Sequence, residues 1–193
     1  LMRANIIEEP LFGENAKTCR WMEEKDWWYS TVFTVDEDFI QDRVELCFEG
    51  LDTHADIWLN GHHLGRSINA FVPWVVDVTS VIHSGENLLV VRIDCGIHWA
   101  HAQDLTPYIG MEHVTDLPEP SRIFLRRAQF SVTWDWAPRL MTTGIWRPVK
   151  LRSYKTLALR DVFLATHLRE NEAKIKIQIE VDCFAKEEQE VVF

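Results

Sequence analysis

One carboxylate, Asp135, stands between two indoles, Trp134 and Trp136, and Pro138 follows closely. A flat ring wall beside a single oriented acceptor is the chemistry of a sugar subsite. Four arginines (Arg122, Arg126, Arg127 and Arg139) flank that aspartate in sequence. Held by arginines, a carboxylate stays ionised and oriented, which suits an acceptor of sugar hydroxyls. The same residues also read as two core tryptophans around a structural ion pair. Asn69 is a second polar candidate for the same cleft, or else a turn former. Trp99 and Tyr108 either extend an aromatic platform or pin the loop that carries them. His98 and His101, with Asp94, Asp104 and His113, offer donors to a metal, but their spacing belongs to no strong signature. The reading is therefore no metal and no cofactor.

These groups need elements to hold them. Read at a two-residue period, Phe124, Ala128, Phe130, Val132 and Trp134 share one face, while Arg127, Gln129, Ser131, Thr133 and Asp135 share the other. That pattern predicts a strand over residues 122–138, stopped by Pro138, which lacks an amide hydrogen. On the same count Arg126 falls on the apolar face and needs a partner or a route to water. Strands are also predicted at Trp27–Val35, Arg43–Glu49, Ala55–Leu59, His62–Gly65, Phe71–Val78, Leu88–Asp94, Ile145–Tyr154, Leu157–Thr166 and Glu172–Asp182. Asn60-Gly61 is the strongest local hairpin signal. Pro73 puts its strand at an edge or a bulge. The cleanest alternation sets Ile175, Ile177, Ile179 and Val181 against Lys174, Lys176, Gln178 and Glu180. Residues 17–26 read as a lead-in lying against the first strand, and residues 96–121 as one long loop, usually functional or disordered.

Frequent turns and hardly any helical periodicity make the fold all-β. Residues 1–153 are expected to form a jelly-roll type β-sandwich. Residues 154–193 are expected to begin an immunoglobulin-like sandwich that needs about seven strands to complete. An uncovered strand edge there predicts self-association.

Composition excludes some classes. Thirty acidic against twenty basic residues give a net charge of -10, which opposes nucleic acid as a partner. No apolar run approaches the roughly 18 residues of a spanning helix, so no membrane partner is expected. The four cysteines, Cys19, Cys47, Cys95 and Cys183, form no CxxC pair. Free thiols and no visible export pattern point to the cytoplasm.

Several stretches together resemble a known family. Phe48-Glu-Gly-Leu-Asp-Thr-His-Ala-Asp-Ile-Trp-Leu-Asn-Gly61, Leu64-Gly65, Asn69-Ala-Phe71, Asp77-Val-Thr79 and Gly85-Glu-Asn-Leu88 resemble the N-terminal, galactose-binding-like domain of glycoside hydrolase family 2. Arg126-Arg-Ala-Gln129, Trp134-Asp-Trp136, Pro138 and Gly144-Ile-Trp-Arg-Pro-Val149 are similar to the β-mannosidase branch. The likeness is strong over about residues 27–153 and weak after that. It implies a retaining, exo-acting enzyme on β-mannosides or manno-oligosaccharides. It also implies that both catalytic glutamates lie on a later (β/α)8 barrel, so none is assigned in this chain and the chain alone is expected to be inactive.

In that branch the Trp-Asp-Trp loop reaches the barrel mouth. The resemblance therefore implies that Asp135 accepts from sugar hydroxyls, Trp134 walls the pocket and Trp136 packs beneath the loop. Arg127 stands in place of the usual lysine, and Thr133 and Ala137 in place of the usual glycines, where positive φ is less accessible. Rival readings are another family 2 activity (β-glucuronidase or β-galactosidase), a free-standing carbohydrate-binding module and a β-domain with no ligand.

Overall fold

Alternating sequence becomes antiparallel sheet where one face can be buried. The computed structural model describes residues 1–111, 118–134 and 136–184. Its strands are β1 (Trp27–Val35), β2 (Arg43–Phe48), β3 (Leu51–Asp52), β4 (His54–Leu59), β5 (His62–Ser67) and β6 (Trp74–Asp77). They continue with β7 (Gly85–Asp94), β8 (Gly144–Ile145), β9 (Val149–Tyr154), β10 (Leu157–Arg169) and β11 (Glu172–Cys183). One antiparallel sheet runs β1-β7-β4-β5 and another β6-β2-β9, while β3 bridges to β8. β6 starts directly after Pro73 and lies at its sheet edge, as a strand preceded by proline should. The fold is all-β, a sandwich of jelly-roll type.

The core lies between the two larger sheets. β2 contributes Val44, Leu46 and Phe48, β4 contributes Ala55, Ile57 and Leu59, and β7 contributes Leu89, Val91 and Ile93. Each set alternates, so the intervening residues face away from this core. On the outer face of the four-stranded sheet Arg92 joins Asp26, Asp56 and Asp94, and Trp28 stacks on Trp58.

Several residues of the family-like stretches are structural pins. Asn60 and Gly61 take φ of 52° and 82°, the left-handed pair that a two-residue hairpin needs. The Asn60 carboxamide then reaches across to β7, donating to Val81 O at 2.9 Å and accepting from Leu88 N at 2.9 Å. Asp77 Oδ1 accepts from Thr79 N at 2.9 Å, and Thr79 Oγ1 accepts from Val44 N at 2.9 Å. Gly50 leaves room for the Trp146 indole, since a Cβ there would lie 2.5 Å from Nε1. That nitrogen donates to Ala70 O at 3.3 Å and ties the 69–71 segment to the strand after it.

Three expectations change. The lead-in is helical: α1 (Asn15–Thr18) and a 3-10 turn over Arg20–Glu24 bring Cys19 and Glu23 into the interior. The long loop holds α2 (Ile97–His101) and 3-10 turns at Thr106–Tyr108 and Pro120–Phe124. The described residues of 122–138 do not form a strand. Among the described residues they hold 3-10 turns, irregular backbone and one parallel bridge between Asn69 and Arg126. The reason is local. Gln129 Nε2 donates to the carbonyls of Arg122, Leu125 and Arg127, and Ser131 Oγ donates to Ala128 O. Carbonyls answered by nearby side chains are not offered to a neighbouring strand.

β10 and β11 pair as a separate ribbon. Its alternation is real, yet Phe163, Leu164, Ile175 and Ile177 remain exposed. Arg160 fastens it to the sandwich by a two-nitrogen grip on the buried Glu45 carboxylate, at 2.9 and 2.6 Å.

Candidate functional site

A second small core supports the 118–143 segment. Cys95, Ile97 and Ala100 pack against Leu125, Val132 and Met141, with Phe124 at the margin. Cys95 is structural: burial pushes its thiol up to about 11, and Sγ donates to Glu23 O at 3.2 Å.

Below the loop Arg127 is buried, Arg139 is half-buried, and both are answered. Arg127, 2% exposed, donates to Ser131 Oγ at 3.1 Å, Cys95 O at 3.3 Å, Asp52 Oδ2 at 3.2 Å and Thr142 O at 2.6 Å. A guanidinium suits this place because its planar fork meets several acceptors at once. Arg139 grips Glu23 at 2.6 Å and Glu119 at 2.9 Å. Burial opposes the charge on Glu119, but hydrogen bonds from Ser121, Arg139 and His101 outweigh it and hold that carboxyl below its usual value. The strand count assigned these positions the wrong way round. Arg126 is exposed and Arg127 buried, because turns rather than a pleat set the direction of each side chain.

Arg122 is also 2% exposed. Its Nη1 donates to Thr133 O at 2.7 Å, and its Cζ lies 5.2 Å from the Trp134 ring centroid. Such a cation–π contact is worth about 0.5–1 kcal/mol when exposed and about 2 or more when desolvated.

Above this floor stand aromatics. Phe130 is 65% exposed, Trp134 47% and Trp136 84%. With Gln129 and Ala137 they line a hollow of about 500 Å3. Trp134 and Ala137 exchange backbone hydrogen bonds, N to O at 3.4 Å and N to O at 3.1 Å, which closes the tip of the loop. Trp136 therefore does not pack beneath the loop. It points to solvent. Asp135 lies outside the described residues. Thr133 takes φ of 155°, so the threonine occupies a region where the family-like pattern has glycine.

Asn69 comes beside this segment through its bridge to Arg126, and Ala70 N donates to Arg126 O at 2.9 Å. Its own Oδ1 accepts from Phe71 N at 2.9 Å, the turn-forming use of asparagine. Trp99 rests edge-on against His54, and Tyr108 against Phe124, so both hold the long loop in place. His98 meets Glu24 and His101 meets Glu119, each at 3.0 Å; His113 lies outside the described residues. No metal-binding cluster occurs among the described residues. A cleft of about 510 Å3 also opens between the two sheets, but its lining of Phe33, Leu46, Leu89, Val91 and Leu151 gives few polar groups to orient a sugar.

Sequence reasoning missed Phe130 at the rim and Arg122 beneath Trp134. Phe130 was counted with the inward face of a strand, and nothing in the local pattern marks one arginine of four as the stacking one.

The chain is also similar to known proteins. The profile of the family described as "Glycosyl hydrolase 2 galactose-binding domain-like" matches residues 1–147. Beta-mannosidase B of Aspergillus terreus is 34% identical over 175 residues, covering 87% of this chain and 20% of the relative. Beta-mannosidase B of Aspergillus fumigatus is 35% identical over 156 residues, covering 80% and 18%. The chain thus spans about a fifth of the length of the curated relatives it matches. The crystal structure of beta-D-mannosidase from Dictyoglomus thermophilum superposes with a TM-score of 0.83 at 33% identity, covering 95% of this chain and 22% of the other. With a profile match over residues 1–147 and these relatives, the chain belongs to glycoside hydrolase family 2, as an N-terminal domain of its β-mannosidase branch.

Proposed function

We propose that these residues form part of a retaining exo-β-mannosidase and supply one wall of the subsite for a terminal β-linked mannose. In this reading Trp134 is the wall, Asp135 accepts hydrogen bonds from sugar hydroxyls, and Trp136 and Asn69 border the same space. Retention requires a nucleophile and an acid/base carboxyl about 5–5.5 Å apart. Neither is assigned within residues 1–193; a (β/α)8 barrel of the same parent chain carries them, and the 193-residue chain alone is inactive. The β-sandwich over residues 1–153 and an immunoglobulin-like unit from 154 onward belong to the same proposal.

The observation that carries the reading is the arrangement of exposed aromatics, Phe130, Trp134 and Trp136, around one hollow on a loop braced by buried arginines. Sugars bind such surfaces because their apolar ring faces stack on indoles while their hydroxyls seek oriented acceptors.

The test is hydrolysis of an aryl β-mannoside by the full-length gene product, beside the 193-residue chain and full-length Asp135→Ala. We expect activity in the first, none in the second and a large loss in the third. Activity on an aryl β-glucuronide or β-galactoside instead would move the function elsewhere in the family. Sugar binding by residues 1–153 alone would favour a free-standing binding module.

A further inference from the structure

We infer that Arg122 is a positioning residue for the sugar wall: it grips the backbone before Trp134 and the ring of Trp134 together, leaving the indole to meet a sugar from the hollow side only. The inference rests on the proposed function above and names the group on which its geometry depends.

Two contacts of one planar group carry it. Nη1 holds Thr133 O at 2.7 Å, and the guanidinium carbon lies over the indole at 5.2 Å from its centroid. The first fixes where the Trp134 backbone leaves the loop, and the second fixes how the ring is turned. Arg122 is itself immobilised. It is buried within the 3-10 turn Pro120–Phe124, its N donates to Glu119 O at 3.2 Å, and its O accepts from Leu125 N at 3.0 Å and Gln129 Nε2 at 3.2 Å. Gln129 also lines the hollow, so its hydrogen bond to Arg122 O joins the turn that holds the cation to the open side of the ring.

A ring held this way meets a sugar without first losing rotamer freedom, and held geometry is what a binding wall contributes. Lysine carries the charge but not the plane, so it cannot hold the carbonyl and cover the ring at once.

The experiment is a double-mutant cycle in the full-length gene product on an aryl β-mannoside, with wild type, R122K, W134A and R122K/W134A. We expect R122K to raise KM about tenfold with kcat changed less than about threefold. In the W134A background the same substitution should do almost nothing, since the group through which it acts is gone. A structural role alone would lower Tm equally in both backgrounds and add to the loss of activity in both; additive effects, or an R122K KM equal to wild type, overturn the inference. If W134A itself leaves KM and kcat unchanged, the sugar-wall reading fails and this inference falls with it. If W134A is impaired and R122K is not, only the role of Arg122 is lost. Iodide quenching of tryptophan fluorescence gives a readout independent of turnover. R122K should raise the quenchable fraction in the wild-type background and leave it unchanged in W134F; no rise in either background also overturns the inference.

Discussion

The floor and the rim of the 118–143 segment come from the same few residues and obey opposite rules. On the floor Arg122 and Arg127 are charged and buried, Arg139 is half-buried, and all three are answered by carbonyls or carboxylates. On the rim Phe130, Trp134 and Trp136 are apolar and exposed around a hollow. Ordinary packing would reverse this, with aromatics inside and arginines in water. On the proposed function, the inversion separates what stabilises the loop from what meets the sugar. Burying the cations fixes the backbone, so the large rings need no core of their own and remain available to a ligand.

That comparison can be broken most severely from below. Arg127→Met should destabilise the protein by about 3–5 kcal/mol, because Asp52 and the carbonyls of Cys95 and Thr142 lose their donor inside the fold. Urea denaturation of the purified variant measures this; a loss under about 1 kcal/mol would mean that the floor does not carry the loop. From above, Trp134→Ala should reduce kcat/KM on an aryl β-mannoside about 10- to 100-fold in the full-length gene product, while the unfolding midpoint scarcely moves. A fall in stability as large as for Arg127→Met would erase the distinction between the two layers.

Acid should act on the floor and spare the rim, whose aromatics carry no charge. Burial opposes ionisation of Glu119, yet its hydrogen bonds keep the folded carboxyl below the ordinary value of 4.5. Glu45 is held low as well, first by the hydrogen bonds from Arg160. A carboxyl depressed in the folded state contributes stability that is present above its unfolded value and lost as pH falls through the folded one. Burial also holds His54 below 6.5, so thermal melts should begin to decline as pH falls through about 6.5 and fall further below about 4.5. Glu119→Gln should flatten part of that decline; an unchanged slope would remove Glu119 from the account. The smallest effect is expected at the join of floor and rim. Thr133 stands at φ 155°, and Thr133→Gly should relieve this backbone while loosening the unfolded chain, a net change within about 1 kcal/mol. A loss larger than that, read by the same melts, would show that the threonine side chain contributes more than its backbone costs.

Two segments with similar alternation show how far sequence pattern reaches. Glu172–Cys183 alternates and forms β11, although its apolar residues Ile175 and Ile177 stay in contact with water. Residues 122–134 alternate too and form no strand. The difference lies in what each backbone is offered. β11 has a complementary neighbour, β10, reached by a short turn, so its ladder forms from local sequence. In the other segment Gln129 and Ser131 occupy the carbonyls that a ladder would need, and Arg127 finds acceptors far away in sequence. Periodicity registers polarity at each position but not the partner that satisfies it.

What sequence alone determined is the part of the molecule governed by near neighbours. The strands of the sandwich, the Asn60-Gly61 turn, the inward sets of β2, β4 and β7, and the stretches that mark the family follow from side-chain alternation, turn chemistry and residue identity over short spans. What only tertiary structure decided is which charges are buried and which rings are not. Arg127 is inside because Asp52, Cys95 and Thr142 converge on it from three separate stretches of chain. Trp136, two residues from a ring stacked on a buried guanidinium, is left in solvent. A buried cation is tolerable only where distant acceptors meet, and such a meeting is a property of the folded chain rather than of any one segment.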